Sequence, residues 1–467
     1  MPGSASRRAA ALFVLLFGVY AATLGLHAFG EAEYGGDEPH YLLAAKSLVE
    51  DGSLDVKDEY AERAYSEFYP YDLDRHGTKT EGRLHEPHGA GFPLLIAPAY
   101  ALAGAKGVEI FLAAIAALAM ALAYRLALRV VPDPWAIGAT LAAGLSAPLV
   151  AYGSAVYPEL TAAAALAGAA LLALRLEDRV SRRQAFLCFA LLGALPWLGT
   201  KFVPAGIVIG IYATRSLVRA RRRTLAVGSV EVALFSVALY VAVNESLYGG
   251  PTPYAADLPG ETATDAAFPL GYLERSYRVV ALLIDREYGL LRWAPVFALV
   301  LAGLWLLYRS RRELLSRALP DLRSMERAAA MCAAALGAQM LVAVFLAPTM
   351  FGFWFPPRHL LAGLTLAVPL MALGLRHLPR TGTALAALTL LASVWLYLDV
   401  ALGGGGLVTP RPDAPFGPLT GLLPFFGDSA WPYVLAAGIG CGLAALAAFE
   451  TRHWRQSAGA TRLRYSE

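Results

Sequence analysis

The sequence predicts an all-α, polytopic membrane bundle of about 12 transmembrane helices (11–13). Three observations carry this. The chain is 57% hydrophobic and only 16% charged, with a mean hydropathy of +0.51, where soluble domains carry about 25% charged residues. Apolar runs of about 20 residues, the length a helix needs to cross a bilayer, recur along the whole chain. Arginine clusters follow every second run, so counting spans puts all of them on one side of the membrane. The alternation expected of barrel strands is absent from these runs. The net charge of +3 points to no nucleic-acid partner.

Taken in order, Arg7 and Arg8 set the N-terminus in the cytoplasm. Residues 9–29 then form a retained first span, longer than the apolar part of an ordinary signal peptide. The first outer loop, 30–106, holds the longest polar stretch of the chain (31–88). It also holds an apolar, proline-broken segment, 89–98, which suits a surface or re-entrant helix. Spans 2 (108–130) and 3 (135–153) pass Arg125 and Arg129 inside and reach Tyr157-Pro158-Glu159 outside. Span 4 starts near residue 160 and ends at Arg175, Arg179, Arg182 and Arg183. The run 185–217 is too long for one helix and breaks at Gly199-Thr200-Lys201, giving spans 5 and 6 with Lys201 at the outer end.

Span 7 (225–244) opens a second outer loop, 245–289, and span 8 (290–308) returns to Arg309, Arg311 and Arg312. Span 9 (328–347) leads to the outer aromatic segment 351–359, and span 10 ends at Arg376, His377 and Arg380. Span 11 (384–402) enters a third outer loop, 403–430, and span 12 (431–449) ends at Arg452, His453 and Arg455. Residues 1–455 thus read as a single transmembrane domain and 456–467 as a cytoplasmic tail. No repeat of 20–50 residues is visible. Cys188, Cys332 and Cys441 lie in or beside apolar runs without metal-ligand spacing, as small core residues do.

The stretch Gly35-Gly36-Asp37-Glu38-Pro39-His40-Tyr41 is the centre of the functional reading. It places two carboxylates, a histidine and a tyrosine at the membrane surface, ahead of a short amphipathic helix expected to lie on the bilayer. Asp37 and Glu38 could serve as a general base or orient an acceptor; a helix cap with ordinary loop charge explains them as well. Cations at the same depth are Lys201, Arg286, Arg292 and Arg358. Arg358 lies among Phe353, Trp354, Phe355 and two prolines, and either anchors the interface or forms a bidentate pair with phosphate. Lys201 interrupts an apolar hairpin, where a lysine is costly unless it snorkels or serves a function. His85-Glu86-Pro87-His88, with His40 and His76, could ligate a divalent metal, but the spacing matches no metalloprotease pattern, and a polar wall for a sugar cavity fits better. Glu159 is what a helix first turn prefers in any case. Tyr254 belongs to a turn-forming stretch that could touch ligand.

Taken together, the outer Gly-Asp-Glu-Pro-His-Tyr, the segment from Glu86 to Leu94, the outer Tyr157-Pro158-Glu159, Gly289-Leu290-Leu291 with Pro295, and Trp354…Arg358 resemble the GT-C glycosyltransferases. Within these the chain is similar to the bacterial dolichyl-phosphate-mannose-protein mannosyltransferase-like (family 39 type) proteins and the lipid A aminoarabinose transferases. The resemblance implies a polyprenyl-phosphate-linked sugar donor, a cavity on the outer face of the inner (plasma) membrane, an inverting mechanism and a first-loop acidic residue as catalytic base. Asp37 matches that base and Glu38 the second acidic residue. Arg358 matches a donor-phosphate contact, and Lys201 and Arg292 join it as expected phosphate-binding cations. His40, Tyr41, His85, Glu86, His88, Tyr157, Glu159 and Tyr254 are the expected substrate-binding residues. The acceptor is an envelope lipid, glycan or protein, and no cofactor is implied beyond the divalent metal left open above. The alternative is a transporter or flippase for lipid-linked sugars; such proteins usually hold their ionisable groups near mid-bilayer on broken helices.

Overall fold

The computed structural model describes residues 2–75, 77–80, 82–253, 271–310, 320–347, 349–350, 358–411, 414–426 and 430–464. Helix α1 (Pro2–Ala21) is followed by a loop bearing α2 (Glu38–Glu50), α3 (Lys57–Ala61) and a two-stranded antiparallel ribbon, β1 (Thr78–Thr80) with β2 (Arg83–His85). The bundle continues with α4 (Gly91–Ala127), α5 (Trp135–Gly144), α6 (Ala147–Tyr152), α7 (Glu159–Asp178), α8 (Arg182–Leu198), α9 (Val203–Arg219) and α10 (Arg223–Tyr248). Short helices α11 (Gly271–Glu274), α12 (Arg278–Ile284) and α13 (Leu290–Trp293) precede α14 (Ala298–Ser310). The chain then forms α15 (Pro320–Leu341), α16 (Leu361–His377), α17 (Pro379–Ala401), α18 (Gly417–Thr420) and α19 (Trp431–Arg464).

Among the described residues eight helices are long and apolar enough to cross a membrane: α1, α4, α7, α9, α10, α15, α16 and α17, some with an adjoining turn. Three shorter apolar helices, Trp135–Gly144, Pro295–Ser310 and Trp431–Leu446, accompany them. The chain is a multi-pass membrane protein. Every run expected to span is helical, but the third and eighth are divided. Ser146, extended at φ −74° and ψ 149°, separates α5 from α6. Pro295, which lacks an N–H and forces Ala294 out of helical geometry, separates α13 from α14.

Two local expectations are corrected. The first helix stops at Ala21 instead of running to 29, because Thr23 turns its hydroxyl onto the Tyr20 carbonyl at 2.7 Å and onto Ser154 Oγ at 2.8 Å. The α4 range joins two helices across the non-helical Ala103 and Gly104, where Gly104 takes φ +59°, so segment 89–98 falls in a helix of its own ahead of the following span. Helix α2 does not lie on the bilayer as an amphipathic helix, since every residue from Glu38 to Ser47 is buried. Leu42 and Ala45 pack into the main core with Phe92 and Ile96, while Leu43 and Ala44 pack against Val56, Tyr60, Tyr65 and Leu84 of the loop. Of the cysteines, Cys188 and Cys332 are buried and Cys441 is exposed.

Small residues let the central helices touch backbone to backbone. A Cβ on Gly303 of α14 would overlap the Leu370 carbonyl of α16, and one on Gly374 would overlap that of Leu299. Gly303→Ala is therefore expected to cost about 1–3 kcal/mol of stability as the helices are pushed apart. Gly337→Ala, on α15 with nothing among the described residues within 4 Å of its Cβ position, is expected to cost none. Thermal melting of the detergent-solubilised variants compares the two, and equal losses would refute the close-contact argument.

Candidate active site

Asp37 occupies the N-cap position of α2, yet its side chain makes no capping hydrogen bond. Its Oδ2 instead accepts from Arg358 Nη2 at 2.7 Å. Arg358 Nε donates to Glu159 Oε1 at 2.7 Å, and Lys201 Nζ donates to that same oxygen at 2.7 Å. The result is a line of alternating charge, Asp37–Arg358–Glu159–Lys201. Glu159 is completely buried, whereas the Asp37 and Lys201 side chains are 29% and 26% exposed. The Arg358 guanidinium lies over the Tyr157 ring, 4.2 Å from its centroid.

Each of these residues stands at a helix start. Asp37 precedes α2 and Glu159 opens α7; Lys201 lies in a turn just before α9, and Arg358 in one just before α16. The far ends of α7, α9 and α16 carry Arg175, Arg219 and Arg376. Helix N-termini carry partial positive charge, so their convergence adds to the two cations.

Glu38 has a different job from its neighbour. Its Oε2 accepts the Gly35 N–H at 2.8 Å and its Oε1 the Val156 N–H at 2.7 Å. Tyr157 adds a bond from its hydroxyl to the Gly35 carbonyl at 2.7 Å. With both oxygens engaged by backbone, Glu38 staples the Asp37 loop to the stretch before α7. Burial outweighs the two N–H donors and pushes its carboxyl up to about 8. Asp37 goes the other way. Burial alone would raise it, but Arg358, His88 and Lys201 hold it well below the usual carboxylate range.

A second cluster adjoins the first. Tyr60 donates to Glu86 Oε1 at 2.6 Å, and His40 Nδ1 lies 3.0 Å from Tyr60 Oη and 3.2 Å from Glu86 Oε2. Burial would raise Glu86, yet the bond and charge of His40 hold it below the ordinary value. His88 packs its ring 5.6 Å from that of His40 and 5.1 Å from that of Tyr41, and its Nε2 is buried without a hydrogen-bond partner among the described residues. Burial lowers the His88 pKa although Asp37 opposes the shift. Tyr41 also packs edge-on to Phe92.

The expected residues thus divide. The structure brings Asp37, Arg358, Lys201, Glu159 and Tyr157 into one constellation, with His88, His40, Tyr41 and Glu86 beside it. His85 bonds the Leu54 carbonyl at 3.0 Å and holds the loop. Arg292, expected to bind phosphate, clamps loops in this arrangement: it donates to the carbonyls of Glu287 at 2.6 Å and Ala414 at 3.0 Å and stacks on Trp293. Tyr254, Trp354 and His76 lie outside the described residues. Among the described residues no group of three or more His, Cys, Asp or Glu side chains is gathered to hold a metal ion. Sequence reasoning missed Tyr60, since a tyrosine in a polar loop carries no local signal of such contacts; Tyr248, which opens the turn-forming stretch that ends at Tyr254, bonds the Glu86 carbonyl through its hydroxyl at 2.9 Å.

The fold is of the GT-C type. The chain is similar in structure to ArnT from Cupriavidus metallidurans in the apo state, with a TM-score of 0.52 and 16% identity, covering 84% of this chain and 71% of that one. The same ArnT bound to undecaprenyl phosphate gives a TM-score of 0.49 at 15% identity, covering 86% and 71%. The Archaeoglobus fulgidus oligosaccharyltransferase in the apo form gives 0.43 at 14%, covering 88% and 59%. No protein-family model and no curated protein matches the sequence. At 16% identity the likeness to ArnT is one of fold.

The Glu38 staple gives a pH test. The unfolded carboxyl titrates near 4.5 and the folded one near 8, so the folded state holds an extra proton between those values. Its contribution to stability is complete below about 4.5 and is lost as pH rises through about 8. The melting temperature is expected to fall across that window, and Glu38→Gln to flatten the fall. A variant profile parallel to that of the parent would show that another group titrates.

Proposed function

We propose that the protein is a membrane glycosyltransferase that moves a sugar from a polyprenyl-phosphate donor to a hydroxyl group of an envelope lipid, glycan or protein. The observation that carries this is the partly exposed Asp37 carboxylate set against two cations, Arg358 and Lys201, that share one buried oxygen of Glu159. Asp37 takes the proton of the acceptor hydroxyl. The acceptor oxygen then bonds to the anomeric carbon from the face opposite the phosphate, inverting it. The carbon–oxygen bond to phosphate breaks, and its electron pair leaves with the polyprenyl phosphate.

The donor is a phosphodiester with one charge, and its phosphate gains charge as it departs. Cations fixed in place stabilise that transition state more than the ground state. Half-buried His88, and buried Tyr41 with its ring 5.1 Å from that of His88, suit contacts to the sugar or acceptor.

A lipid carrier suits the surroundings. Leu360, two residues after Arg358, lines an apolar cavity of about 190 Å³ together with Leu283, Leu290, Leu336, Met340 and Leu364. The outer face is the proposed location, because the site lies at the helix ends opposite the arginine clusters. A transporter or flippase fits less well, since the charges gather at one end of the helices and not midway along them.

Asp37→Asn is expected to lower sugar transfer in reconstituted membranes by about 10²–10⁴-fold, the usual loss of a general base. Melting should stay close to that of the parent. A folded variant with undiminished transfer would end the assignment of Asp37 as base.

A further inference from the structure

In the arrangement described, the base is not available. Asp37 is clasped by Arg358 Nη2 at 2.7 Å, the cation that the donor phosphate also requires. Arg358 is meanwhile secured elsewhere: Nε is bonded to Glu159, and the guanidinium plane rests on Tyr157. A guanidinium anchored through Nε with its face supported still presents its Nη groups in a fixed fork. It can exchange one carboxylate oxygen for a phosphate oxygen by a small rotation, without leaving Glu159.

The charge count supports such an exchange. Two carboxylates, Asp37 and Glu159, face two cations, Arg358 and Lys201, so the constellation is balanced when empty. A singly charged phosphodiester arriving at the cations leaves one negative charge in excess. Glu159 is completely buried and holds both cations, so it stays in place. Asp37, the more exposed of the two carboxylates, is the group released, and it can discharge the excess by accepting one proton. The acceptor hydroxyl supplies that proton.

Resting on the transferase reading, we infer that Arg358 is a two-position side chain held by Glu159: it clasps Asp37 in the empty site and passes to the donor phosphate when the donor binds, so the base is freed only once the donor is seated. Glu159 is then a positioning residue, not a substrate contact. The order of events, donor before acceptor, is built into the site.

The test reads Asp37 directly and needs no turnover. A membrane-permeant carbodiimide adds to protonated carboxyls, and peptide mass spectrometry follows its addition at Asp37 in the full-length protein with and without undecaprenyl phosphate. Binding of the lipid is measured separately by native mass spectrometry. The lipid is expected to raise Asp37 labelling by about tenfold, the change that one unit of proton affinity gives. Arg358→Gln should label at the raised rate without lipid and show no further response.

Lipid that binds without changing Asp37 labelling would overturn the exchange and leave the transferase reading standing. An Arg358→Gln protein labelled as slowly as the empty parent would overturn it equally. Failure of the lipid to bind at all would overturn the transferase reading, and the exchange with it. Glu159→Gln tests the positioning role. Loss of a buried ion partner is expected to lower melting, and a positioning role predicts in addition that, in protein still folded at the assay temperature, the response of Asp37 to lipid shrinks; an undiminished response would refute that role.

Discussion

A single carboxylate oxygen, Glu159 Oε1, holds two cations at once, and the site depends on it. An ion buried without partners is prohibitively costly, and removing one member of a buried pair leaves the other uncompensated. Glu159 is fully enclosed at the first turn of α7, so Arg358 and Lys201 are drawn from separate helices to the same point. The packing of α7 against α9 and α16 follows the same geometry. Glu159 therefore joins the fold to the chemistry: it closes one end of the bundle and sets the distance between the cations that would meet an anionic ligand.

The two acidic neighbours of the first loop show how environment divides identical chemistry. Asp37 is drawn down by an arginine, a histidine and a lysine. Glu38 is pushed up by burial against two backbone donors. One is left as a charged group at the opening, and the other becomes part of the scaffold. In the sequence they are equivalent, because what separates them is Val156 and Arg358, which arrive only through folding.

The helical bundle was legible from hydropathy, since that depends on residues near one another in the chain. Asp37, Arg358 and Lys201 were also legible as candidates, because charge at a membrane rim is costly enough to stand out. Glu159 was visible only as a substrate contact, since helix first turns favour acidic residues and a local preference conceals a distant partner. The burial of α2 was beyond reach for a similar reason: its second face is covered by Val56, Tyr60 and Leu84, none of which carries a packing signal by itself. Arg292 had the right charge and depth, but its fork is filled by carbonyls from two loops.

The stretch from Val156 to Glu159 has one more consequence. Val156 N–H binds Glu38, Tyr157 binds Gly35 and supports Arg358, and Glu159 holds Arg358 and Lys201. Carboxylate and guanidinium thus hang from the same four residues. Helices tilt as bilayer thickness changes, yet such tilting carries both groups together and leaves the gap between them unaltered. The spacing is gauged inside the protein, insulated from the lipid in which it floats.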